Sequence, residues 1–272
     1  MSILIPILVL FAIGIVCALI LTVAEAFFGV KEDERALKIR ETLPGANCGA
    51  CGFSGCDAYA KALSSGMTDS TTLCIPGGDG TAARIAEIMG LAAGDVVEQV
   101  AYVACNGFCR PEEKKYDYDG PKTCKAARMN YAGDNFCPFA CLGYGDCVKV
   151  CPRDAICIND KGLATIDPRK CIGCGMCVNE CPNGIIYLMR DTARVAVTCN
   201  NHDKGARVRA FCKNGCIACG RCEKTCPTGA IVVKDNLASI DYKKCIDCGK
   251  CREVCPVKCI HEGNFICGAH FE

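Results

Sequence analysis

The chain has 272 residues, with 31 Lys and Arg against 30 Asp and Glu, 29 Cys, 3 His and no Trp. A net charge of +1 gives no basic field for a nucleic-acid backbone, and three histidines leave little acid–base capacity. An odd number of thiols in so long a chain, set at metal-ligand spacings, argues against a disulfide scaffold and for assembly in a reducing compartment. There is no G-x-G-x-x-G after a strand and no G-x-x-x-x-G-K-S/T, so the chain shows no dinucleotide or nucleoside-triphosphate site of its own.

The first element is an apolar run without charge, Ile3 to Val23. At about 1.5 Å per residue a helix of that length crosses a hydrocarbon core, and Pro6 and Gly14 are tolerated in such helices. Lys31, Arg35, Lys38 and Arg40 follow it, and no basic residue precedes it. Residues 1–30 therefore read as a single-pass anchor in the lipid of the cytoplasmic membrane, N-terminus outside, with everything after it in the cytoplasm. A cleaved signal peptide is the alternative, but the run is long and lacks a basic start. Cys17 within it reads as an apolar filler.

Residues 31–95 form the next unit. Cys48, Cys51, Cys56 and Cys74 stand at C-x2-C-x4-C-x17-C, with glycines at 45, 49, 52 and 55 that let backbone fold around a cluster. Asp57–Leu63 reads as a short helix, and Thr81–Leu91 as another from the spacing of Ile85, Ile88 and Met89. A four-thiolate zinc site is the alternative to an iron–sulfur cluster.

The second half repeats C-x2-C-x2-C-x3-C-P. It runs Cys171, Cys174, Cys177, Cys181; then Cys216, Cys219, Cys222, Cys226; then Cys245, Cys248, Cys251, Cys255. This is the spacing of two-cluster bacterial ferredoxins, in which three near thiolates hold one [4Fe–4S] cube and the fourth serves its partner. Ala155–Cys171 and Ala230–Cys245 match with one residue deleted, and each reads as a β-hairpin. Two tandem two-cluster modules follow, at 136–200 and 201–272, each with two short helices. Exchange of the fourth cysteine groups Cys151 with Cys171, Cys174 and Cys177; Cys255 with Cys216, Cys219 and Cys222; and Cys226 with Cys245, Cys248 and Cys251. A fourth copy, Cys141 to Cys151, has Tyr144 at a ligand position. Cys141, Cys147 and Cys181 leave one corner open, for which Cys137 is the nearest candidate.

Cys105, Cys109, Cys124, Cys199 and Cys212 remain, most of them in a connector at 96–135. Cys105, Cys109 and Cys124 could build three corners of a sixth cluster, with Cys199, Cys212 or Cys137 as the fourth; buried thiols or zinc fit equally. Cys157, Cys259 and Cys267 read as buried or terminal thiols. The fold class is α+β: a transmembrane helix, an N-terminal [4Fe–4S] domain and two ferredoxin-like modules holding five [4Fe–4S] clusters, or six.

The whole arrangement resembles the B subunit of the Rnf complex. The resemblance rests on the N-terminal span, on C-x2-C-x4-C-x17-C-I-P-G-G, on Val-Ala-Cys-Asn-Gly, on Cys-Leu-Gly-Tyr-Gly-Asp-Cys and on the tandem modules. It covers essentially the whole chain, in the extended form of anaerobic bacteria. It implies an electron-transfer subunit of a membrane ferredoxin:NAD+ oxidoreductase that moves Na+ or H+. Such a subunit takes electrons from soluble reduced ferredoxin and passes them to membrane and flavin subunits. An iron–sulfur subunit of another oxidoreductase, or a zinc scaffold, are the competing readings.

Overall fold

The computed structural model describes residues 4–28, 33–92, 94–107, 114–193 and 195–261. Cys109 and Cys267 lie outside the described residues.

Helix α1 runs Leu4–Phe28. Its described side chains, Ile5 and Ile7 to Val23, are all exposed, Phe11 at 68% and Leu10 at 70%. Among the described residues no helix is long and apolar enough to cross a membrane.

The N-terminal unit packs α2 (Glu34–Thr42) against α3 (Cys56–Ser64) and α4 (Gly78–Met89). Asp33 caps α2 by accepting the Arg35 N–H at 2.9 Å. Ile39, Tyr59, Leu63 and Ile85 are buried together between the three helices. The helix expected over Thr81–Leu91 begins earlier, directly after a 3-10 turn at Ile75–Gly77. It stops at Met89 because Gly90 takes a left-handed conformation.

Strand β1 (Gln99–Val103) leaves the connector, and α5 (Cys124–Met129) follows it. The first module then contains α6 (Asp146–Lys149), β2 (Ile156–Ile158), β3 (Ala164–Ile166), α7 (Met176–Glu180) and β4 (Ile186–Arg190). β2 and β3 form the predicted hairpin. β4 pairs antiparallel with β1, Val103 opposite Ile186. The connector therefore supplies a strand to the module instead of standing apart from it.

The second module repeats the plan. β5 (Ala196–Val197) precedes α8 (Gly205–Phe211), α9 (Arg221–Thr225), β6 (Ile231–Lys234), β7 (Leu237–Ile240), α10 (Lys250–Glu253) and β8 (Ile260–His261). β6 and β7 form the other hairpin, turning on Asp235 and Asn236 at positive φ. β5 pairs with β8 as β1 pairs with β4. Each of α6, α7, α9 and α10 is preceded by a left-handed glycine: Gly145, Gly175, Gly220 and Gly249. That φ turns the chain from the cysteine loop into the helix, which is why the motif reads Cys-Gly-x-Cys or Tyr-Gly-x-Cys.

The modules meet through a small apolar seam of Val100, Tyr102, Met189, Ala193 and Ala196, against which Tyr242 packs. The Tyr242 hydroxyl donates to the Val195 carbonyl at 3.2 Å.

Candidate iron–sulfur sites

Helices and hairpins bring twenty-four of the cysteines into six groups of four. The first is Cys48, Cys51, Cys56 and Cys74, which line one pocket with Leu43, Pro44 and Tyr59. The Asn47 side chain accepts the Cys56 N–H at 2.8 Å and fixes the start of α3 against the loop. Burial first, then the neighbouring Cys56, Cys48 and Cys51, raise the Cys74 thiol above its ordinary value.

The motif cysteines fall into the exchanged sets. Cys151, Cys171, Cys174 and Cys177 line one pocket, and burial plus the three neighbours push Cys177 up to about 12. Cys216, Cys219 and Cys255 act on Cys222, which burial and those neighbours push to about 11. Cys245 and Cys248 neighbour Cys251, and Cys226 neighbours Cys245.

The fourth copy differs from expectation. The cysteine that joins Cys141, Cys147 and Cys181 is Cys124, at the start of α5, not Cys137. Burial raises Cys147 strongly, then Cys141, Cys124 and Cys181 add to it. Tyr144 is occupied elsewhere. Its hydroxyl donates to Asp134 at 2.6 Å, and Asp134 is buried in an ion pair with Lys114 at 2.5 Å. That network folds the 114–146 loop so that α5 presents Cys124; the Lys125 N–H bonds to Asp146 at 3.1 Å.

Cys137 lies instead with Cys105, Cys199 and Cys212 around a cavity of about 610 Å³ between the modules. Cys137 neighbours both Cys105 and Cys212, and Cys212 neighbours Cys199. Burial pushes Cys105 far up and Cys199 to about 11. The set is internally symmetric. Val103-Ala104-Cys105-Asn106 begins on the last residue of β1 as Val197-Thr198-Cys199-Asn200 begins on the last residue of β5, and Cys137 precedes Cys141 by the interval at which Cys212 precedes Cys216. The hydrogen bonds repeat too: the Cys141 N–H donates to Cys105 Sγ at 3.5 Å and the Cys216 N–H to Cys199 Sγ at 3.3 Å. That repeat was readable in the sequence and would have paired the two halves.

The donor sets fit iron–sulfur cubes. Among the described residues no three His, Cys, Asp or Glu converge as a single ion demands. A cube asks for something else, one thiolate per corner around a larger body. Backbone N–H groups already point at the sulfurs: Ala101 at Cys171 (3.4 Å), Ala155 at Cys151 (3.3 Å) and Asp247 at Cys245 (3.4 Å). Burial, then neighbouring thiols, raise Cys74, Cys147, Cys177 and Cys222, one in each of four groups, and iron would supply the positive charge that favours their thiolates. Cys157 is not in any group; its Sγ hydrogen-bonds the Thr165 hydroxyl at 3.1 Å.

The groups also neighbour one another in series. Cys48 acts on Cys174 and Cys177 on Cys147; Cys141 acts on Cys105 and Cys216 on Cys199. Close approach is enforced at Gly173, where a Cβ would lie 2.5 Å from the Gln99 carbonyl oxygen and 3.1 Å from Ile75. α9 packs on α10, so the last two groups share one core.

Known families match in the same places. An Fe-S cluster family covers residues 43–76, and the 4Fe-4S dicluster domain covers 140–185, 170–230 and 215–259. The chain is 44% identical to the B subunit of the Na(+)-translocating ferredoxin:NAD(+) oxidoreductase complex of Acetobacterium woodii, over 95% of this chain and 78% of that one. It is 40% identical to the B subunit of the proton-translocating ferredoxin:NAD(+) oxidoreductase complex of Clostridium ljungdahlii, over 84% and 81%. It is 38% identical to the B subunit of an ion-translocating oxidoreductase complex of Methanosarcina acetivorans, over 87% and 89%.

Proposed function

The chain belongs to the family of B subunits of ion-translocating ferredoxin:NAD(+) oxidoreductases, and from that premise we propose that it is a single unbranched wire of six [4Fe–4S] sites. It is an electron-transfer iron–sulfur subunit of that multi-subunit complex. The observation that carries the wire is the partition of twenty-four cysteines into six neighbouring groups of four.

The order follows from the contacts above. It runs from the Cys48 site to the Cys171 site, the Cys141 site, the Cys105 site between modules, the Cys216 site and the Cys245 site. When bound, each cube takes and returns one electron. The chain's own residues hold the cubes close, exclude water with apolar side chains and aim N–H groups at the sulfurs. No side chain is needed as acid, base or nucleophile.

Reduced soluble ferredoxin is the proposed donor, and it docks on the second module. Cys219 and Cys248 there are the exposed cysteines among the described ligands; the rest are buried or half-buried. Transient redox partners need only a small contact that brings two clusters close. The far end, the Cys48 site, follows α1, whose exposed apolar side chains support an anchor in membrane lipid with the cluster domains on the cytoplasmic side. Flavin and membrane subunits of the complex receive the electrons.

The test is Cys212→Ala in the assembled complex. Ferredoxin should still reduce the second module, while ferredoxin-dependent NAD+ reduction falls to background. Undiminished NAD+ reduction in a variant that has lost the inter-module cube would refute the wire.

A further inference from the structure

Every Cys-Pro of the cysteine motifs is followed three residues later by the first residue of a strand approach. In the first three repeats that residue is Ala155, Ile185 and Ala230; in the last it is Cys259. The backbone does the same thing at each: the N–H of Ala155 bonds Cys151 Sγ at 3.3 Å, and that of Cys259 bonds Cys255 Sγ at 3.4 Å. Ile185 and Ala230 likewise donate to Cys181 and Cys226. Only the side chain is new.

That side chain is buried, 2% exposed, within the core of the second module. Its Sγ stands 3.7 Å from Cys255 Sγ, and Cys216 is a further neighbour. Cys216 and Cys255 are two of the four thiols of one group, which is already complete with Cys219 and Cys222. A ligand thiolate carries no proton, so in the contact with Cys255 the single S–H of Cys259 is the donor.

We propose that Cys259 is a positioning residue whose S–H donates to Cys255 Sγ, a ligand sulfur of the Cys216 site, and raises the reduction potential of that cube above what an apolar residue there would give. Hydrogen bonds to cluster sulfurs draw electron density from the iron and favour the reduced form. The cube takes in one electron and gives one out; the S–H bond of Cys259 neither breaks nor forms. The effect is local to the site next to the inter-module cube. It holds an arriving electron at the junction where the wire leaves the second module. The inference rests on the reading of Cys216 and Cys255 as ligands.

The experiment is an anaerobic redox titration of the full chain, loaded with iron and sulfide and followed by electron paramagnetic resonance. Cys259→Ala copies the residue of two other repeats and should keep the wild-type iron and sulfide. One cluster signal should then move to more negative potential while the others stay. Cys259→Ser, which keeps a donor, should return that signal most of the way. Unchanged potentials in both variants overturn the proposal. So does loss of about four irons in Cys259→Ala, which would make Cys259 a ligand. Failure of the ligand reading itself is seen separately: Cys216→Ala would then retain the full iron of the unsubstituted chain.

Discussion

Cys124 and Cys137 separate two accounts of this chain. If they belong to different sites, each single substitution to Ala removes one cube, about four irons of about 24. The double variant then loses about eight. If both served the Cys141 site, the double variant would lose no more than either single one. The structure predicts the additive result, because Cys124 faces Cys141, Cys147 and Cys181 while Cys137 faces Cys105, Cys199 and Cys212. The two losses should also differ in consequence. Without Cys124 the break falls inside the first module; without Cys137 it falls between modules, and the second module still fills with electrons from ferredoxin. Iron and sulfide analysis of the three variants, with electron paramagnetic resonance to count reduced clusters, reads both effects. A double variant that keeps about 20 irons would refute the assignment of Cys137 to the inter-module site.

Gly173→Ala places a Cβ on the Gln99 carbonyl at a φ of +64°, so strain and overpacking together should destabilise by about 2–5 kcal/mol, visible as a lower Tm. An unchanged Tm would mean that the loop and β1 are not held as close as described. Tyr144→Phe removes the hydroxyl bonded to buried Asp134 and should destabilise by about 1–3 kcal/mol in denaturant unfolding while leaving iron content unchanged. Loss of iron in that variant would make Tyr144 a ligand after all. Cys157→Ala should retain all iron and sulfide, since the Cys157 Sγ bonds the Thr165 hydroxyl and joins none of the six groups.

Much of the site was legible because cysteine motifs carry their own geometry. The exchange of Cys181, Cys226 and Cys255 between neighbouring sets, and the hairpins before Cys171 and Cys245, follow from spacing and a local turn. The cysteine that fills the Tyr144 gap was not legible. It comes from a loop tied down by Lys114, Asp134 and Tyr144, a network that no linear spacing encodes. Nearness in sequence favoured Cys137, and tertiary folding chose Cys124. The inter-module site was hidden for another reason. It takes two thiols from each module, so no stretch of sequence shows more than half of it. Its trace is the repeated Val-x-Cys-Asn after β1 and β5. Helix ends shifted by a few residues where Gly90, not the apolar pattern, decides where α4 stops.

Six cubes are the centre of the account, and their number can be measured directly. Iron, acid-labile sulfide and zinc per chain, on protein purified without oxygen, should come to about 24 iron with equal sulfide and no zinc. About 20 or fewer at full occupancy would remove the inter-module link, and zinc in its place would leave the two modules without an electron path between them.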